Sequence, residues 1–341
     1  MELFKQQLRR IPKVDLHRHL DCCLRWSTLV ELAPQVGIEL PKSHVQKQEA
    51  FLVLDPMMDL DAVLKKFMNS QKVLASEEIL TRLAYEACED AFNDHALIVE
   101  FRYAPSFIAE GHSHLTYEKI HHAISKGLAM AEKKWPIATG LICILQRNRD
   151  FAFSQTVCDF MIDHKESFIG IDMADSDKNF DEKKMTPLFD RARKNGLRVT
   201  AHAGESPWSG AVEQIRNCVD LWGAERIGHG VQVITDAKAM HYLIEKEIVL
   251  ETCPISNYLT QSFPTHQSHP LRRLMDAGLK VTINSDDPGI FNTTLSDEYE
   301  VAHKVHQVTL PEFTKLNQVA AEASFIPLAK RKSVWIHPVN K

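Results

Sequence analysis

The chain has 341 residues, 44% of them hydrophobic and 25% charged, with a formal net charge of −5. These values suit a globular protein with ample core material, and the mild acidity gives no footprint for nucleic acid or an anionic membrane, which leaves a small molecule as the expected ligand. No apolar run approaches the ~18 residues of a membrane helix, so no membrane association is expected.

The opening, MELFKQQLRRIPKVDLH, has no apolar stretch of signal-peptide length, and a cytoplasmic location is expected. The seven cysteines are odd in number and contain no C-x-x-C pair, which fits reduced thiols better than zinc ribbons or disulfides. Eight short apolar runs read as strands: Lys13–Leu20, Leu97–Ala104, Thr139–Leu145, Phe168–Ala174, Arg198–Ala203, Arg226–Val231, Ile248–Cys253 and Lys280–Asn284. Near-continuous apolar strands are those of a parallel sheet covered on both faces. Amphipathic stretches separate them, such as MTPLFDRARKNG, where Leu188, Phe189 and Ala192 share a stripe and Gly196 stands at the C-cap. Eight βα units with no linker or low-complexity break predict an α/β chain forming one (β/α)8 barrel domain over residues 1–341, with a doubly wound open sheet as the alternative. Residues 26–95 exceed a single crossover and read as a helical insertion forming a lid over the C-terminal mouth.

Polar residues cluster where such a barrel would bring strand ends together. His17 and His19 lie in strand one, His202 ends strand five, His229 ends strand six, and Asp286 and Asp287 follow strand eight. Side chains two apart on a strand face the same way, so His17 and His19 suit zinc or another divalent ion that accepts nitrogen. The second H-x-H, His112 and His114, reads as a solvated loop, and His303 and His306 as surface histidines. In T-A-H-A-G-E-S, Glu205 lies just past the strand end; it reads as a proton carrier, because Asp286 can complete the metal shell. His229 reads as the group that orients the metal-bound water. Adjacent residues in extended chain diverge, so Asp286 and Asp287 divide between metal and substrate. Three histidines and an aspartate leave an open position for water, the mark of a catalytic zinc, and bound water ionises near neutral pH.

The segments K-V-D-L-H-R-H-L-D, A-H-A-G-E, R-I-G-H-G-V, C-P-I-S-N-Y-L-T and I-N-S-D-D-P-G-I-F, in that order from residue 13 to about residue 299, resemble the adenosine deaminase family within the amidohydrolase barrels. The stretch D-L-D-A-V-L-K-K-F is similar to that family's nucleoside-covering helix. The resemblance implies one zinc per chain held by His17, His19, His202 and Asp286. It implies that Glu205 protonates purine nitrogen 1 while zinc-bound hydroxide, steered by His229 and Asp286, attacks carbon 6. Asp287 would bind nitrogen 7, Asp21 the ribose 5′-hydroxyl, and His19 would lie near substrate. The expected reaction is deamination of adenosine or 2′-deoxyadenosine to the 6-oxo nucleoside and ammonia.

Two positions depart from the family pattern. Cys22 replaces the glycine after H-L-D, and Asp175 replaces a glycine whose backbone N–H would contact purine nitrogen 3. Both bear on which 6-aminopurine is preferred, adenine and 5′-modified nucleosides included. A two-metal hydrolase using a carboxylated lysine after strand four is disfavoured, because I-D-M-A-D contains none. A non-catalytic nucleoside-binding relative would be free to lose the ligands or the acid, and all stand in place.

Overall fold

The structure, a computed structural model, describes residues 2–335. Eight strands form one parallel sheet in sequential order: β1 (Lys13–His19), β2 (Ala96–Tyr103), β3 (Ala138–Gln146), β4 (Gly170–Ala174), β5 (Arg198–Ala203), β6 (Arg226–His229), β7 (Val249–Thr252) and β8 (Lys280–Ile283). Each pairs in parallel with the next. The seam between β8 and β1 closes through Asp286, whose N–H donates to His17 O and whose carbonyl accepts from His19 N, both at 2.9 Å. The chain is a (β/α)8 barrel. The expected strands all form; β6 ends two residues early, because His229 and Gly230 both take positive φ and turn the chain into a 3-10 helix.

Helices form where the apolar stripes place them. Thr186–Lys194 buries Leu188, Phe189 and Ala192, and Ala211–Trp222 stops at Gly223, which takes the left-handed conformation of a C-cap. A helix over Glu2–Arg10 precedes β1, ahead of the first expected element. Within the 26–95 stretch, Glu77–Asn93 packs on β2 and on the helix Tyr117–Lys134, so it belongs to the outer helical layer as the crossover from β1. The shorter helices Trp26–Leu32, His44–Phe51 and Leu60–Gln71 come before it. Among the described residues no helix is long and apolar enough to cross a membrane. All seven cysteines are free and buried.

One expectation at the C-terminal side is corrected. His306 is buried, not on the surface, because Leu295, Tyr299, Ala302 and His306 recur at helical spacing on the inward face of Leu295–His306. His303 is half-buried and bonds to Val308 O.

The barrel interior departs from the aliphatic layers usual in this architecture. Glu100, Arg102, Asp172, Arg226 and Glu251, each at most 1% exposed, make a continuous ion network. Arg102 reaches Asp172 and Glu251 at 2.8 Å each, while Arg226 reaches Glu251 at 2.6 Å and Glu100 at 2.5 Å. Thr200 adds a hydrogen bond to Glu251 at 3.0 Å. Charges so deeply buried persist only when paired and hydrogen-bonded, and these are.

Candidate active site

At the C-terminal ends of the strands lies a cavity of about 710 Å³, of the size typical for small-molecule sites, ~300–1,000 Å³. His19, His202, Glu205, His229, Asp286 and Asp287 line its floor, Leu60, Val63 and Phe67 of the helix Leu60–Gln71 one wall, and Asp21, Gln146 and Asp175 further parts. Every site residue expected from sequence is thus brought together, with His17 fully buried beneath the floor. His112 and His114 are not part of it; they bond to the backbone of Ile108 and Ala75.

The imidazoles meet closely. The His17 ring lies 5.3 Å from that of His19, 4.5 Å from His202 and 4.9 Å from His229, centroid to centroid. Such packing requires Gly228, where an added Cβ would stand 2.8 Å from His17 Cε1. His19 Nε2 is 3.1 Å from His202 Nε2 and 3.4 Å from Asp286 Oδ1. Asp175, His229 and Asp286 all have positive φ, of 80°, 60° and 58°. Left-handed backbone costs a non-glycine residue roughly 1–2 kcal/mol, and its clustering at three strand ends shows the barrel holding the site against local preference.

The partners of the histidines show what the floor is built to hold. His17 Nδ1 donates to Glu251 Oε2 at 2.8 Å, and His202 Nδ1 to Asp172 Oδ2 at 3.0 Å. Arg102 bridges those two carboxylates. With both Nδ1 atoms so engaged, the Nε2 lone pairs of His17 and His202 point into the floor. His17 Nε2 is fully buried and makes no hydrogen bond, although Asp286 Oδ1 stands 3.1 Å away. A lone pair facing a carboxylate calls for a cation between them. Carboxylate-backed imidazoles are the usual support of metal-binding histidines. Burial and Arg102 pull the His17 pKa down, yet Asp286 and Glu251 outweigh them and raise it, so the position attracts positive charge. Burial keeps His19 and His202 below the ordinary histidine range, hence neutral and able to ligate. The donors fall into two overlapping groups, His17, His202, His229 and Asp286, and His19, Asp286 and Asp287. Nitrogen and carboxylate donors of this kind fit a divalent transition ion.

The carboxyl groups are shifted in opposite directions. Burial would raise Asp286, but His17, His229 and His19 hold it well below the carboxylate range. Burial and the Asp286 charge push Asp287 well above it, and burial with Asp286 and Asp177 does the same to Glu205. Glu205 accepts from Thr260 Oγ1 at 3.0 Å, with His229 Nε2 at 3.5 Å from its other oxygen. Burial lifts Asp21 to about 7; its Oδ2 accepts from Ala104 N at 3.2 Å, while its Oδ1 is buried without a partner. Asp287 Oδ1 is likewise unpartnered. Asp175 is raised by burial and sits 3.3 Å from Gln146 Nε2. Cys22 is packed at 3% exposure, its thiol pushed far up by burial and Asp287, so it is an unreactive neighbour of the floor.

Sequence reasoning gave no role to Arg102, Asp172, Glu251, Asn257 or Thr260. For the first three, a charged residue in the middle of an apolar strand, as in V-E-F-R-Y, I-D-M-A and V-L-E-T, was the available signal.

Comparison with known proteins covers nearly the whole chain. The adenosine deaminase family model matches residues 12–339. Adenosine deaminase of Plasmodium falciparum is 33% identical over 329 residues, 96% of this chain and 89% of the relative. That of Plasmodium vivax is 32% identical over 93% of this chain and 87% of its own. The crystal structure of an adenine deaminase from Arthrobacter aurescens superposes with a TM-score of 0.87 at 26% identity, covering 95% of this chain and 96% of the other. The chain belongs to the adenosine deaminase family.

Proposed function

We propose that this purine deaminase acts on adenosine and 2′-deoxyadenosine, releasing ammonia and leaving the 6-oxo nucleoside, with zinc held by His17, His19, His202 and Asp286. The observation that carries the reading is the pairing of a floor of converging imidazoles and Asp286 with two deeply buried carboxyl groups, Glu205 and Asp287, whose pKa values burial and Asp286 raise. Zinc, when bound, supplies a nucleophile at neutral pH by acidifying its water.

The chain's own residues do the rest. Glu205, whose carboxyl burial and Asp286 push well above the carboxylate range, gives a proton to purine nitrogen 1 as carbon 6 is attacked, relieving the electron density pushed into the ring. Nitrogen 7 is an acceptor only, so the group that binds it must donate, and Asp287 in its neutral form can. Asp21 Oδ1 has a free lone pair for a sugar hydroxyl, which favours a nucleoside over a free base. Asp175 takes a glycine-like positive φ and would offer its backbone N–H to the ring, while its carboxyl narrows the pocket. The helix Leu60–Gln71 serves as the apolar cover over the base and keeps bulk water from the reacting atoms.

An ammonia-release screen tests this, run over adenosine, deoxyadenosine, adenine, 5′-modified adenosines and N6-substituted purines, with metal analysis on the same sample. The expected result is about one zinc per chain and turnover highest with the two nucleosides. A zinc-loaded protein that turns over no aminopurine overturns the proposal, and a preference for adenine overturns the assignment of Asp21.

A further inference from the structure

The motif C-P-I-S-N-Y-L-T has a residue with a task of its own. We propose that Asn257 and His269 are positioning residues that fix His229 in the tautomer carrying its proton on Nε2, so that His229 acts as a hydrogen-bond donor at the floor and neither as a metal ligand nor as a base. The part this plays in the reaction rests on the deaminase reading above; the tautomer itself does not.

Leu271 opens the helix Leu271–Asp276, so its backbone N–H has no acceptor within the helix, and a backbone N–H can only donate. It donates to His269 Nδ1 at 3.2 Å. His269 must therefore accept at Nδ1 and carry its proton on Nε2. That Nε2 lies 3.1 Å from the side-chain amide of Asn257, and the atom facing it must be the oxygen. The amide nitrogen is then turned to His229 Nδ1, 3.1 Å away. An amide nitrogen donates and does not accept, so His229 Nδ1 is the acceptor and Nε2 holds the hydrogen. Nε2 points to the floor, 3.5 Å from Glu205 Oε2 and 3.9 Å from Asp286 Oδ2.

Each step has one solution because the chain is dry. His229 is 1% exposed, Asn257 0% and His269 4%. Reversing any one bond would set donor against donor or acceptor against acceptor without water to relieve it, at roughly 1–3 kcal/mol for each unsatisfied group. Asn257 is held independently by its backbone, through Asn257 N to Cys253 O at 2.9 Å and Phe263 N to Asn257 O at 3.1 Å, and the Phe263 ring packs on His269 at 5.5 Å. His17 and His202 are backed by carboxylates, which accept, and so present lone pairs; His229 alone of these three is backed by a donor. The difference divides the four clustered groups into ligands and a non-ligand, which their distances alone do not.

The test uses full-length protein with 15N-labelled histidine and long-range 1H–15N correlation spectra, the His229 signal being assigned by its loss in His229→Gln. The wild type is expected to show His229 protonated at Nε2, and to keep that pattern when zinc is added. Asn257→Asp preserves the shape but offers only acceptors, so His229 should change to the Nδ1–H tautomer. With that change kcat should fall at least about 100-fold, with KM within about threefold and zinc content unchanged; a tautomer-inverting swap beside a catalytic imidazole costs up to about 10⁴ elsewhere. His269→Leu frees the amide to turn, and His229 should then show both tautomers. An Nδ1–H signal in the wild type, a zinc-induced loss of the Nε2 proton, or an unchanged tautomer in Asn257→Asp each overturns the proposal. Should Asn257→Asp fail to fold, the His269→Leu spectrum decides, a single unchanged tautomer refuting it. Absence of aminopurine turnover in the wild type refutes the deaminase reading and leaves the tautomer result standing.

Discussion

Glu205 shows how one carboxyl is given a task by its surroundings. Thr260 steadies one oxygen, while burial and the charges of Asp286 and Asp177 keep the proton on. Adjacent Asp286 and Asp287 are driven apart in the same way, the first held low among imidazoles and the second pushed up by burial and the charge of the first. Glu205→Gln keeps the shape and removes the transferable proton. We expect kcat to fall ~10²–10⁴-fold with zinc content unchanged; loss of zinc in that variant would make Glu205 a ligand instead. The pH dependence has a definite sign. Because burial raises the Glu205 pKa, the acid keeps its proton to higher pH than an ordinary carboxyl and loses it as pH rises through the folded value, so kcat should decline on the alkaline side. A pH–rate profile with no decline on the alkaline side would contradict the role; a fall toward acid is expected separately, from protonation of the metal-bound water.

The helix Leu60–Gln71 puts Leu60, Val63 and Phe67 against the cavity, and its start is set by Asp59, whose side chain accepts from Ala62 N at 3.0 Å. Removing such an N-cap costs about 1 kcal/mol of helix stability. If the helix covers the purine, Asp59→Ala should raise KM for adenosine by up to roughly five-fold, the equivalent of that energy, and leave kcat nearly unchanged. Steady-state kinetics decide; a fall in kcat at constant KM would count against a covering role. The strand ends show the reverse economy, since Asp175, His229 and Asp286 are held in a backbone conformation they would not choose. Cysteine and aspartate at positions 22 and 175 are accommodated there, one packed and the other glycine-like in φ, so the departures from the family pattern shape the pocket without opening the floor.

Across the whole molecule, the ion network inside the barrel joins stability to metal binding. Burial opposes charge on Asp172 and Glu251, but His202 and Arg102 beside the first, and Arg102, Arg226 and His17 beside the second, hold both well below the carboxylate range. Their folded pKa values lie below the unfolded ~3.9 and ~4.3. The stability they contribute is therefore present above those unfolded values and is lost as pH falls through the folded ones. Arg102→Met fills similar space and leaves two buried carboxylates without their shared partner. We expect a loss of ~3–5 kcal/mol in unfolding free energy, and a ~10–100-fold weaker zinc affinity as the His17 and His202 supports loosen. Denaturant titration and metal competition measure the two effects, and a variant as stable as the wild type would show that the network is not needed to hold the barrel.

The eight strands, their parallel order and the residues gathered at the mouth were legible in the sequence, because alternation, strand spacing and the H-x-H, H-A-G-E, G-H-G and S-D-D segments are local signals. Local signals could not say that Asp286 stitches β8 to β1, that His306 faces inward, or that Glu77–Asn93 belongs to the outer layer. They also could not give a proton to Glu205, a lone pair to His17 or a tautomer to His229. Those states depend on which groups stand within about 3 Å across strands distant in the chain, and on how much water is excluded around them. Only the closed barrel supplies both.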